Sequence, residues 1–160
     1  DAEPVSLWRA ASLEEEWQAD YARALFEAGA DVILGTHPHM VRPAEIMNVD
    51  GKDKYVIYSM GNFISNYIRT DNRENAIYTE DGVIVRLTFD IDPDEGFTLA
   101  TAEHIPTWPY KYETDGDLHY EIIPVTDPDA RLHENEYADS EARKSYYRTM
   151  EILGSFTPVQ

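Results

Sequence analysis

A helix stop and a strand start lie only a few residues apart early in this chain, and that junction restricts the fold more than any other feature. Ser12-Leu-Glu-Glu15 is a capping-box pattern: the hydroxyl accepts from the third helical amide and Glu15 returns to the cap amide. A helix is predicted over Leu13–Ala28, with Leu13, Trp17, Tyr21, Ala24, Leu25 and Ala28 as its apolar stripe and Gly29 as its left-handed stop. The short apolar run Asp31-Val-Ile-Leu-Gly35 follows at once. A tight turn from helix into a nearly continuous apolar strand is the grammar of an α/β layer, with the strand covered on both faces.

Beyond the strand comes Thr36-His37-Pro38-His39. Ligands of open α/β sheets bind outside the carboxyl ends of the strands, so this loop is a candidate site. Pro38 forbids helix, and residues two apart in extended chain face the same way, so His37 and His39 can present nitrogens to one ion or to two adjacent ions. Neutral imidazole suits Zn, Mn, Fe and Ni. The alternative is a polar turn with a capping role. Two ligands are too few in either case, because catalytic zinc takes three protein ligands plus water, so others must come from elsewhere.

Ala44–Val49, the Asp50-Gly51 turn and Tyr55–Ser59 read as a hairpin-like pair with a loop longer than two residues. Ser59-Met-Gly61-Asn62-Phe63 again follows an apolar strand. Glycine there admits a ligand close to the backbone, and Asn62 offers a donor and an acceptor, either to that ligand or to the turn itself. Ser59 lacks the elbow of a serine nucleophile. Asp31 reads as a turn or helix-end partner and Glu45 as a solvated strand-edge carboxylate.

Asn66–Asp81 reads as a surface loop. Gly82–Asp90 is a strand with Val83, Val85, Leu87 and Phe89 on one face. The turn Asp92–Gly96 and strands Thr98–Ile105 and Glu121–Val125 complete an antiparallel meander. Trp108, Tyr110 and Tyr112 either line a pocket or pack into the core. A helix is predicted over Asp139–Leu153, capped by Asp139 or Ser140, with Tyr146, Tyr147, Met150 and Leu153 on its apolar side and Gly154 beyond its end. His104, His119 and His133 have no ligand spacing and read as locally satisfied.

Composition narrows the partners. A chain of 160 residues that is 42% hydrophobic can bury the core of one domain. Its net charge of -18 argues against nucleic acid and anionic membrane, and a polyanionic substrate would need bound cations or the basic residues Arg42, Lys52 and Lys54. Cysteine is absent, which excludes thiolate metal sites. No apolar run of about 18 residues is present for direct membrane insertion. Asp1 is not an initiator methionine, so the sequence reads as a processed or trimmed piece.

The segments Ala28–His39, Arg42-Pro-Ala-Glu45, Tyr58-Ser-Met-Gly-Asn-Phe63, Gly82-Val-Ile-Val and Ile105-Pro-Thr-Trp108 together resemble the bacterial capsule biosynthesis protein CapA, or poly-gamma-glutamate synthesis, family. The resemblance spans residues 12–125, ahead of the helix over 139–153, within a single-domain fragment 1–160. That family resembles the calcineurin-like metallophosphatases. It implies an α/β (α+β) fold, the C-terminal half of a two-sheet sandwich flanked by helices. It also implies His37 and His39 as metal ligands; Arg42, from its charge, and Asn62, from its donor and acceptor, are the substrate-binding candidates. The implied cofactor is a dinuclear pair of divalent ions, Mn, Fe or Zn, in a hydrolase-related site; the catalytic residues remain unassigned. Implied partners are the N-terminal half of the same domain, which carries the Asp-x-His, Gly-Asp and Gly-Asn-His segments that this chain lacks, and the capsule polymer or its synthesis complex. The implied location is the bacterial cell surface or exterior, with any anchor or signal upstream. A non-catalytic binding or assembly module is the alternative function.

Overall fold

The computed structural model describes residues 7–37, 39–66, 76–94 and 96–153, with helix side chains described from Trp17 onward. Among the described residues, two α-helices and two three-stranded sheets form an α+β sandwich. Helix α1 spans Leu7–Glu27 and leads into β1 (Val32–Leu34), β2 (Ala44–Val49) and β3 (Lys52–Ile57), which form sheet 1 in the order β1-β3-β2. A short 3₁₀ segment, Ala76–Glu80, precedes β4 (Gly82–Asp92), β5 (Gly96–Thr114) and β6 (Asp117–Pro124), the meander of sheet 2. Helix α2 covers Glu136–Leu153.

Burial follows the strand period. In β3, Tyr55 and Ile57 face sheet 2, where they meet Val83, Leu99 and Ala102, with Val85, Leu87 and Phe89 of the expected inward face packed alongside. Val56 points the other way and packs with Met47 and Val49 against Ala22 and Phe26 of α1. Helix α2 lies on sheet 2 through Ala138 and Ala142, beside Trp108, Ile123 and Val125. Its last turn, with Met150 and Leu153, reaches the cluster between the sheets.

Several expectations are corrected. Helix α1 begins at Leu7, so Ser12 lies inside it; the preceding Leu-Trp-Arg-Ala-Ala segment is made of good helix formers that continue it backwards. Its expected stripe is outward: Trp17 is 60% and Tyr21 62% exposed, while Ala22 and Phe26 form the buried face. Both faces obey the helical period, and small residues let the helix approach the sheet. Strand β1 is an edge strand whose two faces are both partly covered, Val32 against the cluster between the sheets and Ile33 against the α1 cluster, while Leu34 at its end is exposed.

The β2–β3 loop is a two-residue turn after all. Val49 pairs with Lys52, and Asp50 and Gly51 both have positive φ, the type I′ geometry that matches strand twist. Asp115-Gly116 makes a second such turn, with Thr114 paired to Asp117. Strands β5 and β6 are accordingly longer than expected, and the Trp108–Tyr112 segment is strand. Trp108 is core, and Tyr110 and Tyr112 stack outward from it.

Asn135, not Asp139 or Ser140, caps α2: its Oδ1 accepts from the amides of Tyr137 at 3.0 Å and Ala138 at 3.1 Å. Asp139 instead accepts from the Leu132 and His133 amides and pairs with Arg143, which together hold its carboxyl below the ordinary range. The buried face of α2 is Ala138, Glu141, Ala142, Ser145, Thr149 and Leu153, leaving Tyr147 exposed. Gly154, Pro38 and residues 67–75 of the expected loop lie outside the described residues.

Candidate functional site

The loops after β1 and β3 are knitted together by main-chain bonds. The Gly35 amide donates to Ile57 O at 2.8 Å, Met60 N to Gly35 O at 2.9 Å, and Arg42 N to Ser59 O at 2.9 Å. Isolated bridges Val41–Met60 and Gly61–Gly82 then join this end of sheet 1 to the start of sheet 2. Backbone packs on backbone here. A Cβ at Gly35 would lie 2.0 Å from Tyr58 O, and one at Gly61 2.4 Å from Asp81 O, so both positions require glycine.

His37 and His39 emerge from this floor, both exposed. Their rings stand edge to face, with centroids 5.5 Å apart and an interplanar angle of 64°. Imidazoles that share one tetrahedral ion through bonds of about 2.0–2.1 Å have centroids roughly 5 Å apart, so the spacing fits a shared ion. The ligand set is incomplete: among the described residues no group of three or more His, Cys, Asp or Glu is placed to hold a metal.

His39 adopts φ +72°, the left-handed region that few residues other than glycine enter. Asn62 holds it from both ends: Asn62 Oδ1 lies 2.9 Å from His39 Nδ1, and Asn62 Nδ2 donates to His39 O at 3.1 Å. The same Nδ2 donates to Thr79 O at 2.9 Å, and the Asn62 amide to Asp81 O at 3.2 Å. Asn62 is buried, and these bonds fasten the histidine loop to the segment before β4.

Asp81 is fixed in turn. Arg148 of α2 grips its carboxylate in a fork, Nε to Oδ2 at 2.8 Å and Nη2 to Oδ1 at 2.6 Å. Burial pushes the Asp81 carboxyl up, and the Arg148 guanidinium opposes that shift. Beside it, Trp108 Nε1 donates to Glu80 Oε2 at 3.2 Å. Sequence reading missed Thr79, Asp81 and Arg148. The only local hint was the Asp81-Gly82 pair at the loop's end, and nothing marks Arg148 among the charges of α2.

The structure therefore gathers His37, His39 and Asn62. Arg42 is half-buried at the same end and makes no ion pair among the described residues. The three basic residues do not form one cluster. Lys52 sits at the far turn of the β2–β3 hairpin, and Lys54 is buried against Asp31 and the Ala30 carbonyl. Asp31 is thus an ion-pair partner at the strand start, and Glu45 accepts from the Tyr58 hydroxyl. Ser59 is buried with its Oγ accepting from Gly61 N at 3.2 Å.

The remaining histidines are held locally. His104 Nε2 meets Tyr55 Oη at 2.8 Å between the sheets; burial lowers the imidazole pKa and raises that of the phenol. His119 stacks on Tyr112, and His133 contacts Glu121 and the ring of Tyr110.

Residues 9–67, which contain His37, His39, Arg42 and Asn62, match the family described as bacterial capsule synthesis protein PGA_cap. Over these residues the chain is similar to this capsule-synthesis family. The PGA biosynthesis protein CapA of Bacillus subtilis (strain 168) is 40% identical over 60 residues, which are 38% of this chain and 15% of that protein. The capsule biosynthesis protein CapA of Bacillus anthracis is 33% identical over 60 residues, 38% of this chain and 14% of that protein. The capsule-synthesis match thus spans about one seventh of those relatives. No solved structure matches the chain.

Proposed function

We propose that this chain supplies the histidine part of a divalent-metal centre in a capsule-biosynthesis protein of the poly-gamma-glutamate type. The observation that carries this reading is the pair of exposed imidazoles 5.5 Å apart, held over glycine-packed strand ends inside the segment that the family match covers. His37 and His39 would hold Mn, Fe or Zn, and the remaining ligands come from other parts of the protein, such as the N-terminal half of the domain. When bound, a pair of such ions activates water and stabilises the oxygens of a displacement, the chemistry of a metal-dependent hydrolase. Arg42 supports an anionic substrate such as the capsule polymer, since a half-buried guanidinium without an ion-pair partner among the described residues is a local exception in a chain of net charge -18. A capsule role supports a location at the bacterial cell surface or exterior.

Metal content of the full-length protein tests the ligand assignment. His37→Ala with His39→Ala should lower bound-metal stoichiometry; unchanged stoichiometry removes the assignment. A second reading, an assembly module without catalysis, is supported equally by the capsule-synthesis match over residues 9–67. Assays of the full-length protein on phosphoesters and glutamyl amides separate the two. Turnover that requires a divalent ion supports the hydrolase, and no turnover with any divalent ion supports the module.

A further inference from the structure

We propose that Asn62 is a positioning residue that fixes His39 as its Nδ1–H tautomer, so that in the neutral ring Nε2 is the unprotonated nitrogen. The argument begins at the amide of Asn62. Its Nδ2 faces two backbone carbonyls, His39 O at 3.1 Å and Thr79 O at 2.9 Å, and a carbonyl only accepts. The atom between them must be the NH₂ group, which fixes the flip of the amide by chemistry. The atom facing His39 Nδ1 at 2.9 Å is then Oδ1, which also only accepts. Nδ1 must therefore carry the proton. In a neutral imidazole that leaves Nε2 unprotonated, the form that ligates a metal or accepts a proton through that nitrogen.

The backbone supports the same role. His39 pays a conformational cost at φ +72°, and such outliers persist where surrounding structure over-determines them. Asn62 grips both the ring and the carbonyl of His39, and its own amide is tied to Asp81 O, whose side chain is locked by Arg148. A hydrogen bond to one ring nitrogen that fixes the tautomer and the ring orientation is how proteins position histidine ligands. Asn62 thus acts through His39. The metal consequence rests on the reading given under Proposed function, whereas the tautomer does not.

The test needs no metal. Long-range ¹H–¹⁵N correlation spectra of the chain labelled with ¹⁵N-histidine, at about pH 8 where ordinary imidazoles are neutral, report which ring nitrogen is protonated. The His39 signals are assigned by their loss in His39→Asn. Wild type should show Nδ1–H at His39. Asn62→Ala should move His39 to the Nε2–H form that free imidazole favours, and Asn62→Asp, which keeps the acceptor but loses both donor bonds, should retain Nδ1–H. A residue that merely braces the turn would not move this signature. An Nε2–H His39 in wild type overturns the proposal, as does an unchanged tautomer in a folded Asn62→Ala. Should Asn62→Ala fail to fold, wild type and Asn62→Asp decide. In the full-length protein, Asn62→Ala should weaken metal affinity about 10–100-fold. If His37→Ala with His39→Ala leaves metal stoichiometry unchanged while His39 is Nδ1–H, the metal reading falls and the tautomer assignment stands.

Discussion

The histidine end of sheet 1 and the far turn of the β5–β6 hairpin both depend on glycine, for opposite reasons. At Gly35 an added Cβ would meet the Tyr58 carbonyl oxygen at 2.0 Å, whereas at Gly116 nothing lies within 4 Å and only φ +86° calls for glycine. One end is dictated by what surrounds it, the other by local turn chemistry. A region in which loops from two sheets press backbone against backbone holds side chains in fixed places. A hairpin tip only reverses the chain.

Substitutions break or sharpen this contrast. The largest effect is expected for Gly35→Ala, because the clash is with backbone and no side chain can swing aside. A loss of about 3 kcal/mol or more in urea unfolding is predicted, and a near-neutral result would mean that the two loops are not packed as described. Arg148→Met should cost about 3 kcal/mol by leaving the Asp81 carboxylate buried without its partner. Adding Asp81→Leu should recover much of that loss, and the double mutant checks that charge burial rather than packing is responsible.

The inter-sheet contact of Tyr55 with His104 gives a pH signature. Burial lowers the pKa of His104 in the fold, so the unfolded chain binds the proton more readily. The contribution of His104 is complete above the ordinary imidazole value near 6.5 and is lost as pH falls from there toward the lowered folded value. Melting temperature should drop over that window in wild type and drop less in His104→Gln. Gly116→Ala should cost only about 1 kcal/mol, the price of a left-handed alanine in open space. Smallest of all, Glu103→Gln removes the exposed pair with Arg86, and less than about 1 kcal/mol is expected.

The elements of this fold were largely legible, and the reasons for the failures differ. Alternation in Gly82–Asp90 and the run before Gly35 placed strands correctly, because burial on a sheet imposes a period that sequence displays. In the helices, period alone could not choose the buried face. Trp17 and Tyr21 are the larger aromatic pair on the helix, yet Ala22 and Phe26 face the sheet. Likewise Ala138, Ala142, Ser145 and Thr149 face the core while Tyr147 does not, since small residues allow close approach. The histidines were visible as a motif. Their support was not, because the His39–Asn62 and Asp81–Arg148 bonds join residues 23 and 67 positions apart.

That last separation has a kinetic consequence. A contact between residues 67 positions apart forms only after the intervening chain is largely organised, and loop closure makes such contacts slow relative to local ones. The β2–β3 and β5–β6 hairpins can zip early, but the grip of Arg148 on the Asp81 side chain is complete only when α2 docks. The support of the site is therefore expected to be among the last parts of the molecule to become native. A refolding experiment that follows the His39 ring nitrogens would see them settle with α2, after the hairpins have formed.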